Sequence, residues 1–268
     1  METTSYRVKF DGGSGHALAG IVDRPTDQDP SLVAVFSHCF TCNKDLKAIV
    51  RISRGLAAHG IACLRFDMTG LGGSDGDFSH TNFTTNLADL SAAIAFARDE
   101  LGQVDALIGH SFGGAASLAM AGNASASDSP KAVVALAAPS DTSHLAALLS
   151  LMNPAIETDG FGDVNIGGRT WTIRREMLED FRSHDLPAII PKIKCPSLLL
   201  HSPVDRTVGY DHAVRIMGLI HSSPESDSGV ASLVTLSGAD HLLVNNSHDI
   251  EFVTNTAAAF LLRYARPT

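Results

Sequence analysis

The residues best suited to chemistry form the pentapeptide Gly109-His110-Ser111-Phe112-Gly113, which follows a short apolar run and precedes an alanine-rich, helix-like stretch. A serine with a glycine two positions away on each side is typical of a sharp strand-to-helix turn that exposes the serine hydroxyl. The glycines are needed because the serine takes an unfavourable backbone conformation, and a larger residue at either position would collide with the adjacent strand and helix. Ser111 is therefore the candidate nucleophile, and the alternative is a helix that merely begins with a serine N-cap.

A serine hydroxyl needs a base, and in this type of turn the acid and the histidine follow the serine along the chain. Asp205 comes soon after the apolar run 198–200, and His241 comes soon after the run 233–236. Both positions follow a predicted strand, so both side chains are expected at the sheet edge that carries Ser111. The sequence therefore predicts that Ser111, Asp205 and His241 form a catalytic triad.

Two other aspartates and several histidines compete for these roles. Asp141 follows another apolar run and is the rival acid. Asp240 is a weaker candidate, because adjacent side chains in an extended segment point in opposite directions and Asp240 would point away from His241. The chain has 12 histidines, but only His241 combines a strand-end position with the expected order after the serine. A purely structural His241 and an Asp205 that only forms a turn are the alternatives.

Acyl transfer also requires hydrogen-bond donors for the oxyanion that develops on the carbonyl oxygen. One donor is normally the backbone N–H of the residue after the nucleophile, and the other comes from the loop after an earlier strand. Here these are the amides of Phe112 and Phe40, the latter in the loop 37–44 that follows the apolar run 32–36. We therefore predict that Phe40 and Phe112 form the oxyanion hole.

The loop 37–44 also contains Cys39-Phe40-Thr41-Cys42, a spacing found in redox-active cysteine pairs. A single pair of this kind, without a second pair of ligands, does not make a zinc site. The chain has 4 cysteines, too few for a disulfide scaffold at this length, so we predict reduced thiols in or near the core. Cys39 is then a small residue that supports the oxyanion loop, and redox or metal chemistry is the alternative.

Composition and charge narrow the class of protein. With 268 residues, 44% of them hydrophobic and 18% charged, the chain can bury a sizeable core, which excludes disordered and low-complexity classes. The net charge of −9, without a lysine and arginine cluster, opposes binding to nucleic acid or to an anionic membrane. The longest apolar run, 132–138, is far shorter than the roughly 20 residues of a transmembrane helix. The negative charge favours a small, neutral substrate. The N-terminus does not resemble a secretory signal, so we expect a cytoplasmic protein.

Apolar runs and helical stretches alternate along most of the chain. Two short segments, 6–11 and 16–23, are separated by a glycine-rich turn and predict an opening antiparallel hairpin. The later runs are continuously apolar, which favours strands buried on both faces, joined by helices in a mostly parallel sheet. The predicted strands are 32–37, 61–66, 106–108, 133–138, 198–200 and 232–236, and the predicted helices are 44–59, 83–101, 112–121 and 248–264.

Residues 141–191 interrupt this alternation and are predicted to be an insertion in a core formed by 1–140 and 192–268. The insertion contains an amphipathic stretch (144–152), a glycine-rich hairpin (164–173) and a charged helix (174–184). We predict that Leu145, Leu149 and Trp171 line a substrate pocket. Packing within the insertion is an equally good explanation for these three residues.

Together these motifs resemble the α/β-hydrolase superfamily. Within it, the chain is similar to the hydrolase module that many bacteria carry fused to an OsmC-type domain. The resemblance implies a mostly parallel, eight-stranded α/β sheet flanked by helices, with a cap insertion after the sixth strand. The motifs that carry it are His38-Cys39-Phe40-Thr41, Asp67-x-x-Gly70-x-Gly72-x-Ser74 and 109–113, and for the narrower module 37–47, 66–72, 166–169 and 201–209.

The resemblance implies a serine carboxylesterase for short-chain acyl or small aromatic esters, acting through an acyl-enzyme without a metal or organic cofactor. The chain ends soon after its last predicted helix, so we expect no OsmC-type domain and no peroxidase activity. A thioesterase or C–C bond hydrolase with the same triad is the alternative among enzymes, and a catalytically silent binding module is the alternative of another class. The expected partners are a small-molecule ester and, as one option, a second copy of the chain, with no nucleic acid and no membrane.

Overall fold

The computed structural model describes residues 1–222 and 229–266, and within these ranges ten strands form one large sheet and one hairpin. The strands are, in chain order, β1 (Thr3–Asp11), β2 (Ala17–Pro25), β3 (Leu32–Ser37), β4 (Ile61–Phe66), β5 (Ala106–His110), β6 (Ala132–Leu136), β7 (Phe161–Ile166), β8 (Arg169–Arg174), β9 (Ser197–His201) and β10 (Ala231–Thr235). Strands β7 and β8 form the hairpin, and the sheet has the order β1-β2-β4-β3-β5-β6-β9-β10. Strand β2 pairs antiparallel with β1 and β4, and all other pairs in the sheet are parallel. The mostly parallel eight-stranded sheet and its opening hairpin are thereby confirmed.

Helices connect the strands and cover both faces of the sheet. They are α1 (Lys47–Ala58), α2 (Phe83–Leu101), α3 (Phe112–Asn123), α4 (Ser143–Met152), α5 (Ala155–Thr158), α6 (Arg175–Ser183), α7 (Leu186–Ile189), α8 (Tyr210–His221) and α9 (Ser247–Tyr264), with short 3₁₀ turns at Phe78–His80 and Ile190–Lys192. Within the described part of the chain, none of these helices has both the length and the hydropathy needed to cross a bilayer.

The central strands are buried on both faces, as the continuous apolar runs predicted. All residues of β3, β4, β5, β6 and β9 are buried. Because side chains alternate along a strand, Val33 and Val35 share one apolar cluster with α2 and α3, whereas Ala34 and Phe36 share the other with α1 and α9. The sheet is therefore a rigid middle layer whose carboxyl edge can hold loops in fixed positions.

Two element boundaries at this edge differ from the sequence prediction. The helix predicted at 44–59 begins at Lys47, because the backbone N–H and the Nζ of Lys44 both bind the Asp67 carboxylate, at 2.6 and 2.8 Å. The strand predicted at 133–138 ends at Leu136, because Ala137 has a φ of +50°, outside the strand region. Both changes shape the loops that leave the carboxyl edge.

The segment between β6 and β9, here called the inserted segment, consists of α4, α5, the β7-β8 hairpin, α6 and α7. It follows the sixth strand, as predicted. Its buried residues Leu149 and Phe181 belong to the same apolar cluster as the sheet residues Val35 and Leu107. The inserted segment is therefore packed onto the core, while its division from the core at 141 and 191 stays a prediction.

A chain of buried charges connects β2, β4 and the loop after β3. Arg65 Nε donates to Asp23 Oδ2 at 2.8 Å, and both side chains are almost completely buried. The hydroxyl of Ser53 donates to the same carboxylate oxygen at 2.5 Å. Arg65 Nη1 then donates to the carbonyl oxygen of Lys44 at 2.8 Å and to Asp45 Oδ1 at 3.0 Å. The buried ion pair thus anchors the loop after β3 to the sheet.

We expect Arg65→Met to lower the free energy of unfolding by about 3–5 kcal/mol, because Asp23 would keep a buried charge without its main partner. Urea denaturation followed by circular dichroism measures the loss. The control is Arg54→Met, since Arg54 approaches Asp23 at 3.8 Å but its side chain is 58% exposed; its loss should be about 1 kcal/mol or less. Equal losses in the two variants would show that burial of the pair does not matter.

Candidate active site

Ser111 lies in the turn between β5 and α3. Its φ of +54° and ψ of −119° form a conformation that residues other than glycine rarely adopt. The Ser111 N–H donates to the carbonyl oxygen of Leu136 at 2.8 Å, and the Ser111 carbonyl accepts from the N–H groups of Gly114 and Ala115 at 2.8 and 3.1 Å. These bonds hold the serine in a strained turn at the carboxyl edge of the sheet.

The two glycines that flank Ser111 sit where backbones approach too closely for a side chain. A Cβ atom on Gly109 would lie 2.2 Å from the carbonyl oxygen of Gly113. A Cβ atom on Gly113 would lie 2.3 Å from the carbonyl oxygen of Ser37, the last residue of β3. Any larger residue would therefore push α3 away from β5 or from the end of β3.

His241 and Asp205 are brought together from the loops after β10 and β9. His241 Nδ1 lies 2.6 Å from Asp205 Oδ2. An ionised carboxylate only accepts hydrogen bonds, so Nδ1 carries the proton and Nε2 keeps its lone pair. The other oxygen, Asp205 Oδ1, accepts from the N–H groups of Thr207 and Val208 at 2.8 and 3.0 Å. In this tautomer the Nε2 atom of a neutral His241 ring is the acceptor, on the side of the ring away from Asp205.

The electrostatics of Asp205 keep its carboxyl group ionised. Burial alone raises its pKa, but the hydrogen bond and charge of His241 and the two backbone N–H donors outweigh burial and hold the pKa below its ordinary value. A second buried imidazole, His201, lies 3.7 Å from Asp205 Oδ2 and donates instead to the carbonyl oxygen of Val208 at 2.8 Å. Asp205 therefore carries a negative charge against the Nδ1 side of His241.

The rival acids lie elsewhere in the hydrogen-bond network. Asp141 binds Arg215 Nη1 at 3.2 Å and accepts from the backbone N–H of His144 at 2.9 Å. Asp240 accepts from three backbone N–H groups in the turn that follows it, those of Leu242, Val244 and Asn245. Among the described residues, Asp205 is the carboxylate that contacts the His241 imidazole.

His110, inside the pentapeptide, has a role that the sequence analysis did not assign. Its Nε2 lies 2.7 Å from the backbone carbonyl oxygen of His241, and the two rings are 5.1 Å apart between centroids. Complete burial lowers the pKa of His110 to about 3, so the ring is neutral and donates from Nε2. His110 therefore positions the backbone that carries His241. Its position next to Ser111 is the feature of the sequence that could have pointed to this role.

The loop after β3 differs from the prediction in its cysteines. Cys39 and Cys42 form a disulfide bond, so the prediction of reduced thiols is wrong for this pair. Sequence spacing does not report the distance between two cysteines, which here is 5.3 Å between Cα atoms, within reach of a bond. The bond encloses Phe40 and Thr41, the latter with a φ of +58°. As bonded sulfurs, neither can act as a thiolate metal ligand.

Cys63 and Cys195 are free and buried, as predicted, and burial raises the pKa of each thiol to about 12. They are unreactive core residues at neutral pH. Within the described ranges, no group of histidine, cysteine, aspartate and glutamate side chains has the arrangement of a metal site.

Buried polar side chains on the core side fix the same loop. His38 Nδ1 lies 2.8 Å from the carbonyl oxygen of Cys39, and His38 Nε2 accepts from the N–H of Met68 at 3.1 Å. Asp67 binds Lys44 through both oxygens and also accepts from the N–H of Gly73 at 2.8 Å. The contacts of His38 with Met68 and of Lys44 with Asp67 were not predicted, because they join loops far apart in the sequence.

A cavity of about 740 Å³ connects these groups. Ser111, His241, Phe40 and Phe112 all line it. Phe112 is the first residue of α3, so its N–H has no partner within the helix. The pocket residues named from the sequence, Leu145, Leu149 and Trp171, also line it and belong to the inserted segment. The cavity therefore joins a hydroxyl, a free imidazole nitrogen and two candidate N–H donors beside an apolar wall.

Comparison with known proteins places this geometry in a family. A model of the alpha/beta hydrolase family matches residues 34–255. The esterase domain of a Rhodothermus marinus protein has 38% sequence identity and a TM-score of 0.75, and the match covers 99% of this chain and 100% of that chain. No curated protein sequence matches the chain.

Two more distant structures share the fold. Est1E from Butyrivibrio proteoclasticus, solved with ferulic acid bound, has 22% identity and a TM-score of 0.75 over 96% of this chain and 99% of that chain. XC6422 from Xanthomonas campestris, an α/β serine hydrolase without a lid, has 18% identity and a TM-score of 0.67 over 100% of this chain and 98% of that chain. Because the family model spans most of the sequence and the Rhodothermus marinus domain matches along its whole length, the chain belongs to the alpha/beta hydrolase family.

Proposed function

We propose that this protein is a serine carboxylesterase that hydrolyses short-chain acyl or small aromatic esters through an acyl-enzyme intermediate. The observation that carries the proposal is that Ser111, in its strained turn, and His241, bonded to Asp205, line one apolar cavity. The Rhodothermus marinus relative is an esterase domain, and Est1E was solved with an aromatic acid. Both similarities favour ester substrates over the thioester and C–C alternatives.

In the proposed reaction, Nε2 of His241 takes the proton from Ser111 Oγ while Oγ attacks the ester carbonyl carbon. The carbonyl oxygen becomes an oxyanion and accepts hydrogen bonds from the N–H groups of Phe40 and Phe112. Collapse of this intermediate breaks the bond to the alcohol oxygen, which leaves with the proton from His241. Water, deprotonated by His241, then attacks the acyl group, releases the carboxylic acid and restores Ser111.

Asp205 acts on this reaction through His241. The imidazole becomes a cation in both transition states, and the ionised carboxylate 2.6 Å from Nδ1 stabilises that charge. The same hydrogen bond fixes the tautomer whose Nε2 can accept a proton. Asp205 is therefore the residue that makes His241 an effective base.

Ser111→Ala should lower kcat/KM for 4-nitrophenyl butyrate by about 10⁴-fold or more, because the members of a triad act as a unit. The matched control is Ser91→Ala, an exposed serine on α2, which should keep wild-type activity. A fluorophosphonate probe should label the wild type and the control but not Ser111→Ala. Full activity in Ser111→Ala would overturn the assignment, and failure to label the wild type would favour a catalytically silent module.

The acid is tested by comparing two isosteric variants. Asp205→Asn should lower kcat by about 10³-fold or more, because an amide at this position no longer stabilises the imidazolium and favours the wrong tautomer. Asp141→Asn should change kcat less than tenfold, since Asp141 binds Arg215 and not His241. Steady-state hydrolysis of 4-nitrophenyl butyrate measures both. A larger loss in Asp141→Asn than in Asp205→Asn would exchange the two roles.

The double variant Cys39→Ser/Cys42→Ser tests the disulfide in the oxyanion loop. Opening this short loop should lower the free energy of unfolding by about 2 kcal/mol, according to the chain-entropy model. The contacts of His38 and Lys44 remain, so we expect kcat/KM to fall less than about tenfold. Dithiothreitol should reproduce both effects in the wild type and change nothing in the variant. A loss above 100-fold without a change in stability would mean that the sulfurs take part in the reaction.

A further inference from the structure

Some of the charged side chains around the cavity form ion pairs and others do not. Among the described residues, Asp45 is the one acidic residue that lines the cavity. It is already paired with two cations, Lys44 at 3.0 Å and Arg65 at 3.0 Å. Lys47 and Arg169 also line the cavity, and neither has an ion-pair partner among the described residues. The cavity therefore has two uncompensated positive charges in a chain whose net charge is −9.

The two cations reach the cavity from different parts of the fold. Lys47 is the first residue of α1, and Arg169 is the first residue of β8, directly after the Gly167-Gly168 turn. Asn43 and Asn165 also line the cavity. Core and inserted segment thus each contribute one cation and one amide to the same cavity.

The fold does not need the positive charges of Lys47 and Arg169 for its stability. The helix dipole disfavours a positive charge in the first turn, yet Lys47 occupies the first position of α1. Arg169 is exposed at the tip of a hairpin, where solvation of its guanidinium needs no partner. Their shared property is that both face a cavity whose wall is otherwise largely apolar, with Leu145, Leu149 and Trp171. Both residues are exposed, so water screens part of their attraction for an anionic ligand, and the expected preference is modest.

We propose that the esters hydrolysed at this site carry a carboxylate at the end remote from the scissile bond, and that Lys47 and Arg169 bind it. This inference rests on the proposed esterase function and names its substrate class. The apolar wall then holds the carbon chain or ring between the two ends of the substrate. The overall charge favoured a neutral substrate. The proposal replaces it with an anionic one, because Lys47 and Arg169 make the local charge at the cavity positive, whereas the whole chain has a net charge of −9.

The test compares esters that differ only in this charge. On the acyl side, 4-nitrophenyl hydrogen adipate is paired with its neutral methyl ester. On the alcohol side, the butyryl ester of 4-hydroxyphenylacetic acid is paired with its methyl ester. We expect the wild type to show a kcat/KM about fivefold to tenfold higher for the anionic member of at least one pair. In 1 M NaCl, where the screening length is about 3 Å, this preference should largely disappear.

Variants identify the residues responsible. Lys47→Gln and Arg169→Gln should each reduce the preference for the anionic ester, and the double variant should bring the ratio to about one. The matched control is Arg7→Gln, which removes an equal charge from an exposed position on β1, outside the cavity, and should keep the wild-type ratio.

Three results would overturn the inference, and only one of them also removes the esterase proposal. If the wild type hydrolyses both members of each pair with equal kcat/KM, the anionic substrate class is wrong and the esterase function stands. If the wild type hydrolyses none of the four esters and is not labelled by the fluorophosphonate, both proposals fail. A preference that survives in the double variant would also exclude Lys47 and Arg169 as its source.

Discussion

The beginning of α3 and the end of β3 touch backbone to backbone. A Cβ atom on Gly113 would meet the carbonyl oxygens of Ser37 and His38 at 2.3 and 2.5 Å, so glycine is required there. This contact also brings the two loops that carry Phe40 and Phe112 together, and their rings lie 5.6 Å apart. The candidate oxyanion donors and the strained serine turn therefore depend on one close approach, which the parallel pairing of β3 with β5 imposes.

Buried ion pairs also fix the loop after β3, from the other side of the sheet order. The Asp23–Arg65 pair links β2 to β4. Arg65 also donates to the carbonyl oxygen of Lys44, and the side chain and N–H of Lys44 in turn bind Asp67. Burying such groups is costly unless each has a partner, so the network is stable only when the loops are in register. These polar contacts fix the loop that carries Phe40, one of the two candidate oxyanion donors, and they extend from Asp23 in the core to Asp45 at the cavity.

Local patterns predicted the fold and the candidate site to different extents. The glycine spacing around Ser111 and the chain order of Asp205 and His241 were readable because a turn and a strand end are local features. The disulfide and the late start of α1 were not, because they depend on a cysteine separation in space and on Asp67, distant in sequence from α1. Helix α8 was not predicted, although its buried residues Ala213, Ile216 and Ile220 lie at helical spacing. The narrower likeness to OsmC-fused modules stays a prediction.

Residues from two stretches of the chain line the cavity. The groups assigned to proton transfer lie on core loops, whereas Leu145, Leu149, Arg169 and Trp171 lie on the inserted segment, which joins the core only between β6 and β9. Substitutions within that stretch can therefore change much of the cavity wall without altering the loops that carry Ser111, Asp205 and His241. Chimeric hydrolases built by swapping this module are the corresponding route to new selectivity.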